Sequence, residues 1–199
     1  MKKIMLIQTG GTIAMAFDQA ENDSIHGWSD VISNEVPELK SIADIDMHHL
    51  FLEDSSNINH THWSKLALLI KKYYGNYDGF IILHGTDTMA YTASALSFCL
   101  QNIQKPVILT GSQVPMAQLR SDARRNLVNA VEMATMDINE VAICFNDYLF
   151  RGNRSTKTSI GDFDAFTSPN YPPLAEIGIS IEQKKKEKKT GGNPRWFIF

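Results

Sequence analysis

The sequence lacks the features that would place the protein in a membrane, on nucleic acid or outside the cell. It contains no apolar stretch approaching the roughly 18–20 residues that a membrane span needs. Its net charge is −3, whereas phosphate binding requires a basic surface. The apolar run after Met1-Lys2-Lys3 stops at Gln8, too early for a secretory signal. We therefore expect a cytoplasmic protein that contacts neither membrane nor nucleic acid.

Residues that bind metals or nucleotides are also sparse. The two cysteines, Cys99 and Cys144, each lie in an apolar run, which predicts two buried thiols and suits a reducing compartment. His60 and His62 are spaced i, i+2 with no third ligand beside them, so they do not indicate zinc. No GxGxxG loop or phosphate-loop lysine occurs. We expect no metal and no cofactor.

What the sequence does contain is an alternation of short β-rich runs and segments of helical period. This alternation predicts parallel strands joined by crossover helices. We therefore predict an α/β fold, with a doubly wound, flavodoxin-like, mostly parallel sheet and helices on both faces. The predicted strands are Lys3–Gln8, Ile45–Leu52, Gly79–Leu83, Pro106–Thr110 and Glu140–Phe145, and the predicted helices are Trp63–Tyr74, Thr88–Leu100 and Ser121–Thr135.

The C-terminal segment differs from the rest. From Gln183 the chain reads QKKKEKKTGGNPRWFIF, a charge run followed by a turn signal and four apolar residues. We expect residues 1–182 to form one domain. Residues 183–199 are then a charged linker and the truncated start of a second, smaller domain that is absent.

Polar segments follow the predicted strands, at the edge where a doubly wound sheet binds its ligands. Together they predict a rim of hydroxyls, carboxylates and one lysine. The segments are Thr9–Thr12, Glu53–Asn57, His84–Thr88, Thr110–Gln113 and Asn146–Asp147, with Ser155–Thr158 a little later.

Most of these segments also have a purely structural interpretation. Thr9–Thr12 alone can be a glycine turn, the segment from Asp54 can be a helix cap, and Lys157 can be a solvated side chain. The segment His84–Thr88 is harder to explain without a site, because it lies between a buried strand and an apolar helix. Asp87 there falls at a helix N-terminus, where the helix dipole stabilises its charge.

A threonine hydroxyl becomes a nucleophile only when a base takes its proton. Thr86, Lys157 and Asp87 can form such a set of hydroxyl, base and orienting carboxylate. Thr12 then supplies a second hydroxyl across the cleft. The residues alone leave open which threonine attacks.

Several of these segments resemble one known family. LIQTGGTIA (Leu6–Ala14) and GFIILHGTDTM (Gly79–Met89) are similar to the two signature segments of the bacterial-type L-asparaginases. TGSQVP (Thr110–Pro115), RSDARRNLVNA (Arg120–Ala130) and RGNRSTKTSIGDFDAFTSPN (Arg151–Asn170) also resemble that family, closest to its cytoplasmic type I branch. The resemblance extends from about residue 3 to residue 182. It implies hydrolysis of asparagine to aspartate and ammonia through an acyl-enzyme on a threonine.

The resemblance also implies roles for individual residues. Thr12 is the implied nucleophile, and the second catalytic set is Thr86, Asp87 and Lys157. The segment that binds the α-carboxylate and α-amino groups of the substrate corresponds to Asp54, Ser55 and Ser56. Asp87 also contacts the α-amino group in the family. Gly11 and Gly85 complete the implied substrate-binding residues.

The sequence departs from the family in two places. Members carry a tyrosine in a mobile loop after the first strand, but this chain has none between Thr12 and Tyr73. The loop Asp18–Trp28 offers Ser24, His26 and Trp28 instead. Members also have a C-terminal domain that completes the site of a neighbouring subunit, and homodimers or tetramers are expected at full length.

These departures leave alternatives open. One is a truncated or degenerate chain that binds aspartate or asparagine with little turnover and tends to associate. Another is a related glutaminase-asparaginase. A third is an amidohydrolase that acts on an amidated tRNA. The low content of basic charge argues against this third alternative.

Overall fold

The structure is a computed structural model that describes residues 1–15, 34–184 and 192–198. Its described part is built around an eight-stranded sheet. The strands are β1 Lys3–Gln8, β2 Asp44–His49, β3 Gly79–Leu83, β4 Leu100–Gln101, β5 Val107–Thr110, β6 Val141–Phe145, β7 Tyr148–Arg151, β8 Thr156–Lys157, β9 Phe166–Thr167, β10 Ala175–Ile177, β11 Ile181–Gln183 and β12 Arg195–Trp196. The helices are α1 Thr12–Met15, α2 Leu39–Ile42, α3 His60–Tyr73, α4 Met89–Cys99 and α5 Ala123–Thr135, with 3₁₀ turns at Ser55–Asn57 and Gly152–Arg154.

Five parallel strands form the part of the sheet that carries the polar segments. Their spatial order is β2-β1-β3-β5-β6, which is the flavodoxin-like order. The chain leaves β1 toward β2 and later returns to β3 on the other side, so the order reverses at β1. Gln8 pairs with Leu83, which brings the ends of β1 and β3 level. Ligand sites of such sheets lie at this reversal point.

Helices cover both faces of the sheet, as the sequence predicts. Ile4 and Leu6 of β1 pack with α2 and α5, whereas Met5 and Ile7 pack with α3 and α4. Successive strand residues point to opposite faces, so a strand with helices on both sides needs apolar residues at nearly every position. This requirement explains the continuous apolar runs of β1 and β3.

The sheet continues beyond β6 with strands that the sequence analysis did not predict. β7 pairs antiparallel to β6, and β10 and β11 extend the same edge in antiparallel fashion. Asn146 makes the tight β6–β7 connection with a φ of 49°, a left-handed conformation that asparagine tolerates better than most residues. The sheet is therefore mixed, although mostly parallel in its central part.

The element bounds agree closely with the prediction for the buried strands and less well elsewhere. β1 and β3 have the predicted ends. β2 ends at His49 rather than Leu52. The helix predicted from Trp63 begins at His60, where Asn59 caps it. Ser121 lies two residues before α5, and its Oγ accepts a hydrogen bond from the Ala123 N–H.

The structure tests the burial predicted for the two cysteines. Cys99 and Cys144 are both buried free thiols, as predicted. Burial raises the pKa of each thiol. Among the helices that the structure describes, none has the length and apolar character needed to cross a bilayer.

The described C-terminal residues lie against this same sheet-and-helix unit. β12 pairs antiparallel with β4, and the Trp196 ring lies 5.1 Å from the ring of Tyr74. β11 includes Gln183, so the sheet extends one residue past the predicted boundary. The division of the chain at residue 182 stays a prediction.

Candidate active site

A cleft lies at the reversal point of the sheet, beside the ends of β1 and β3. Its volume is about 180 Å³. The loops after β1, β2 and β3 all contribute to its walls. The predicted site residues that line it are Gly11, Thr12, Asp54, Ser55, Gly85, Thr86 and Asp87.

Glycines allow the loops after β1 and β3 to touch backbone to backbone. Gly11 has a φ of +86°, and a Cβ placed on it would lie 2.4 Å from the backbone nitrogen of Gly85. A Cβ on Gly85 would lie 2.7 Å from Oγ of Ser55. A side chain at either position would separate the walls of the cleft. The two glycines therefore have a packing role at this site.

The two threonines of the first loop have different surroundings. Thr9 is fully buried, and its Oγ1 donates to the Leu83 carbonyl at 2.7 Å. Thr12 is half-buried and lines the cleft. Thr9 thus fastens β1 to β3, while Thr12 has access to a ligand.

Lys157 joins the cleft through hydrogen bonds to two of its lining residues. Its Nζ donates to Oγ1 of Thr86 at 2.8 Å and to Oδ1 of Asp87 at 2.7 Å. The lysine side chain is 12% exposed and that of Asp87 is 67% exposed. After β7, the turn Gly152–Arg154 packs closely on α4. The chain then reaches Lys157, beside the loop that follows β3. Of the three side chains that the sequence analysis grouped, Lys157 therefore lies within hydrogen-bond distance of both Thr86 and Asp87.

Asp54 serves both as a cap and as a wall of the cleft. It accepts hydrogen bonds from Oγ of Ser56 at 2.6 Å and from the Ser56 N–H at 2.8 Å. These bonds, the hydroxyl bond first, lower the pKa of the Asp54 carboxyl. The cap belongs to the 3₁₀ turn Ser55–Asn57 and not to α3. Ser56 itself is not one of the residues that line the cleft.

Behind the cleft, His84 is completely buried in a chain of hydrogen bonds. Its Nδ1 lies 2.7 Å from the Gly85 carbonyl, which can only accept, so Nδ1 carries the proton. Nε2 then accepts from Oγ1 of Thr92 at 2.8 Å, and Thr92 accepts from Nε1 of Trp63. Desolvation lowers the pKa of His84 to about 4. The ring is neutral, and His84 is not one of the residues that line the cleft.

Gln113 is a contact of the site that the sequence analysis did not single out. Oγ1 of Thr86 donates to its Oε1 at 2.9 Å. Its Nε2 donates to the carbonyls of Ile160 and Asp162, both at 3.3 Å. The sequence signals were its position in the polar segment after β5 and its place in the family-like segment Thr110–Pro115. Its side-chain partners could not be inferred from that position.

Other predicted segments lie outside the cleft. Asn146 and Asp147 form the β6–β7 turn, where they bond to Asp164 and Arg125 respectively. The loop Asp18–Trp28, with Ser24, His26 and Trp28, lies outside the described residues. Across residues 1–15, 34–184 and 192–198, no three His, Cys, Asp or Glu side chains group as metal ligands.

The fold and the cleft together define a class of protein. A flavodoxin-like sheet holds two threonine hydroxyls, carboxylates and a lysine at its reversal point. This combination of side chains suits a hydrolase with a hydroxyl nucleophile. A family model described as "Asparaginase, N-terminal" matches residues 3–189. The chain belongs to the asparaginase family.

Individual relatives agree with this assignment. L-asparaginase 1 of Escherichia coli K12 is 49% identical over 186 residues, which are 92% of this chain and 55% of that protein. The chain thus spans about half the length of this relative.

Solved structures give the same result for the fold. The crystal structure of L-asparaginase I from Vibrio cholerae superposes with a TM-score of 0.87 at 44% identity, covering 99% of this chain and 61% of that one. A probable cytoplasmic L-asparaginase from Campylobacter jejuni has a TM-score of 0.82 at 32% identity, covering 93% of this chain and 57% of that one.

Proposed function

We propose that this protein hydrolyses L-asparagine to L-aspartate and ammonia, with Thr12 as the nucleophile. One observation carries the proposal: Thr12 lines the same cleft as Thr86 and Asp87, which Lys157 bonds directly. Family membership and the asparaginase relatives support it. We also propose a cytoplasmic location, in keeping with the name of the Campylobacter jejuni relative, and a homodimer or tetramer for the full-length protein.

The polar walls of the cleft fit the two ends of an amino acid. Asp54 and Asp87 present carboxylates that suit an α-ammonium group. Ser55 lines the cleft and offers a hydroxyl donor for the α-carboxylate, while Ser56 holds Asp54 from outside the cleft. Gly11 and Gly85 let the substrate approach the backbone closely, because no Cβ stands in the way. The side-chain amide then lies toward Thr12.

The reaction proceeds in two steps with balanced protons. Oγ1 of Thr12 attacks the amide carbon, the C–N bond breaks, and the threonine proton leaves with the nitrogen as ammonia. We assign the transfer of that proton to the Thr86 hydroxyl and to Nζ of Lys157, 2.8 Å away, with the hydroxyl turning from Gln113 during the transfer. Water then cleaves the aspartyl ester on Thr12, which releases aspartate and restores the hydroxyl.

Ammonia release from L-asparagine tests the proposal. We expect turnover by the full chain, loss of at least about a hundredfold in Thr12→Ala, and partial recovery in Thr12→Ser, which retains a hydroxyl. Thr61→Ala is the matched control, because that exposed threonine bonds only near the start of α3. Equal rates in Thr12→Ala and the wild-type protein would contradict the proposal.

A binding protein without turnover is the competing function. The carboxylates of Asp54 and Asp87 line the cleft and can bind an α-ammonium group whether or not Thr12 reacts. Calorimetric binding of L-aspartate with no ammonia release from L-asparagine would favour this alternative. Hydrolysis of L-glutamine at a comparable kcat/KM would instead favour a glutaminase-asparaginase, since one methylene changes binding by only about 1–3 kcal/mol.

A further inference from the structure

Asp122 is a buried carboxylate that accepts hydrogen bonds from the backbone of a loop of the site and does not cap the backbone of its own helix. It lies at the N-cap of α5 but makes no side-chain cap. Its two oxygens accept from the Gln113 N–H at 3.1 and 3.0 Å, from the Val114 N–H at 3.0 Å and from Nδ2 of Asn126 at 3.0 Å. The residue is 8% exposed.

Asn126, one turn along the same helix, supports the same loop from the other side. Its Nδ2 also donates to the Gly111 carbonyl at 2.9 Å, and its Oδ1 accepts from the Asn146 N–H at 3.0 Å. The residue is fully buried. The backbone from Gly111 to Val114 is therefore held at one end by Asn126 of α5 and at the other by Asp122, the N-cap residue of α5.

The side chain of Gln113 connects this fixed loop to Thr86 and, through Thr86, to Lys157. Its Nε2 donates to two carbonyls in the loop after Lys157, which fixes the amide orientation because carbonyls cannot donate. Its Oε1 therefore faces Thr86 and accepts the hydroxyl proton. With that proton occupied, Oγ1 of Thr86 offers a lone pair to Nζ of Lys157.

We propose that Asp122 is a positioning residue that sets the Lys157–Thr86 hydrogen bond through the backbone and side chain of Gln113. For its catalytic meaning this inference rests on the proposed function. Asp122 touches neither the cleft nor Lys157. Its effect is to fix where Gln113 stands, and thereby which way the Thr86 hydroxyl points.

Chemical modification of lysines measures this effect without any turnover. Lys157 and Lys105 are both donors to protein oxygens, but Lys105 bonds the carbonyls of Tyr74 and Tyr77, away from α5. Reductive methylation of the full chain, quantified by mass spectrometry, gives the ratio of the two modification rates. General loosening of the fold raises both rates, whereas displacement of Gln113 raises only that of Lys157.

Asp122→Asn is the test variant, because an amide supplies a single acceptor oxygen where N–H donors converge on two. We expect the Lys157 to Lys105 ratio to rise about fivefold, the factor that the loss of one ordinary hydrogen bond is worth. Gln113→Ala should raise it similarly, and adding Asp122→Asn to Gln113→Ala should change it little further. Asn129→Ala, which removes only a bond to the Asn146 carbonyl, should leave it unchanged.

Kinetics separate this inference from the proposed function. In Asp122→Asn we expect kcat for asparagine to fall about tenfold, with KM within about twofold, because groups of the reacting set move while the binding residues stay. An unchanged lysine ratio would overturn the positioning role even if hydrolysis is observed. A raised ratio without hydrolysis in any variant would overturn the proposed function and leave the positioning role standing. Parallel rises at both lysines, in Gln113→Ala as well, would overturn the positioning role.

Discussion

At the scale of single residues, the site depends on partners that are far apart in the sequence. Lys157 bonds Thr86 across 71 positions, and Gln113 bonds Thr86 across 27. The sequence predicts the residue types that a hydroxyl nucleophile needs, because threonines and carboxylates directly follow the predicted strands. The pairing between them is set by how the chain returns after β7, and local pattern holds no information about that path.

His84 makes a pH-dependent contribution to stability. Its pKa is lowered from 6.5 to about 4 by burial, so between these values the unfolded chain binds a proton that the folded protein does not. The contribution of His84 to the free energy of unfolding is therefore fully present above about pH 6.5 and is lost as the pH falls toward 4. The loss amounts to about 3 kcal/mol.

Urea unfolding at several pH values measures this contribution. The free energy of unfolding should fall more steeply between pH 7 and pH 4 in the wild-type protein than in His84→Gln, because glutamine does not titrate. The chemical shifts of the His84 ring provide a second measure in the unmutated protein. Identical slopes in the two proteins, or a ring that titrates near pH 6.5, would contradict this assignment.

At the scale of elements, the loops after β1, β2 and β3 are held together by close backbone contact. A Cβ on Gly11 would meet the Gly85 nitrogen at 2.4 Å, and the φ of +86° already disfavours a side chain. Because the obstructing atom belongs to the backbone, a rotamer change cannot relieve it. We expect Gly11→Ala to lower the free energy of unfolding by about 3 kcal/mol.

Gly75→Ala is the control for that substitution. Nothing lies within 4 Å of a Cβ placed on Gly75, and its φ is not in the left-handed region. Its effect should stay within about 0.5 kcal/mol, as is usual for surface substitutions. Chemical denaturation of both variants checks the pair. A Gly11→Ala protein as stable as Gly75→Ala would show that the two loops do not pack as described.

The elements differ in how far the sequence determines them. β1 and β3 are predicted with their observed ends, because both faces are buried and polar residues stop each run. β7, β10 and β11 are only three or four residues long and lie toward one edge of the sheet. Such short strands have no period to detect, and tertiary pairing determines them. The antiparallel edge could therefore not be predicted.

At the scale of the whole molecule, the described C-terminal residues contribute to the stability of the sheet-and-helix unit. Trp196 is half-buried against Tyr74, and the Phe197 N–H donates to the Cys99 carbonyl at 2.8 Å. We expect Trp196→Ala to cost about 1–2 kcal/mol, less than a fully buried tryptophan. Phe197→Ala, at a side chain that is 52% exposed, should cost less than about 0.5 kcal/mol.

Urea unfolding distinguishes the two tail variants. A lower midpoint in Trp196→Ala than in Phe197→Ala is the expected order. If both variants unfold at the same urea midpoint as the wild-type protein, the C-terminal strand does not stabilise the rest of the molecule. That result would favour the prediction that residues 183–199 are a charged linker and the start of a second domain.

In the proposed reaction, Thr12 carries the acyl group. Acid quenching of the full chain during reaction with L-asparagine, followed by peptide mass spectrometry, tests it most directly. We expect one aspartyl group on the peptide that contains Thr12, its retention in Thr12→Ser and its absence in Thr12→Ala. An aspartyl group on Thr86, or steady ammonia release from Thr12→Ala, would show that Thr12 is not the nucleophile.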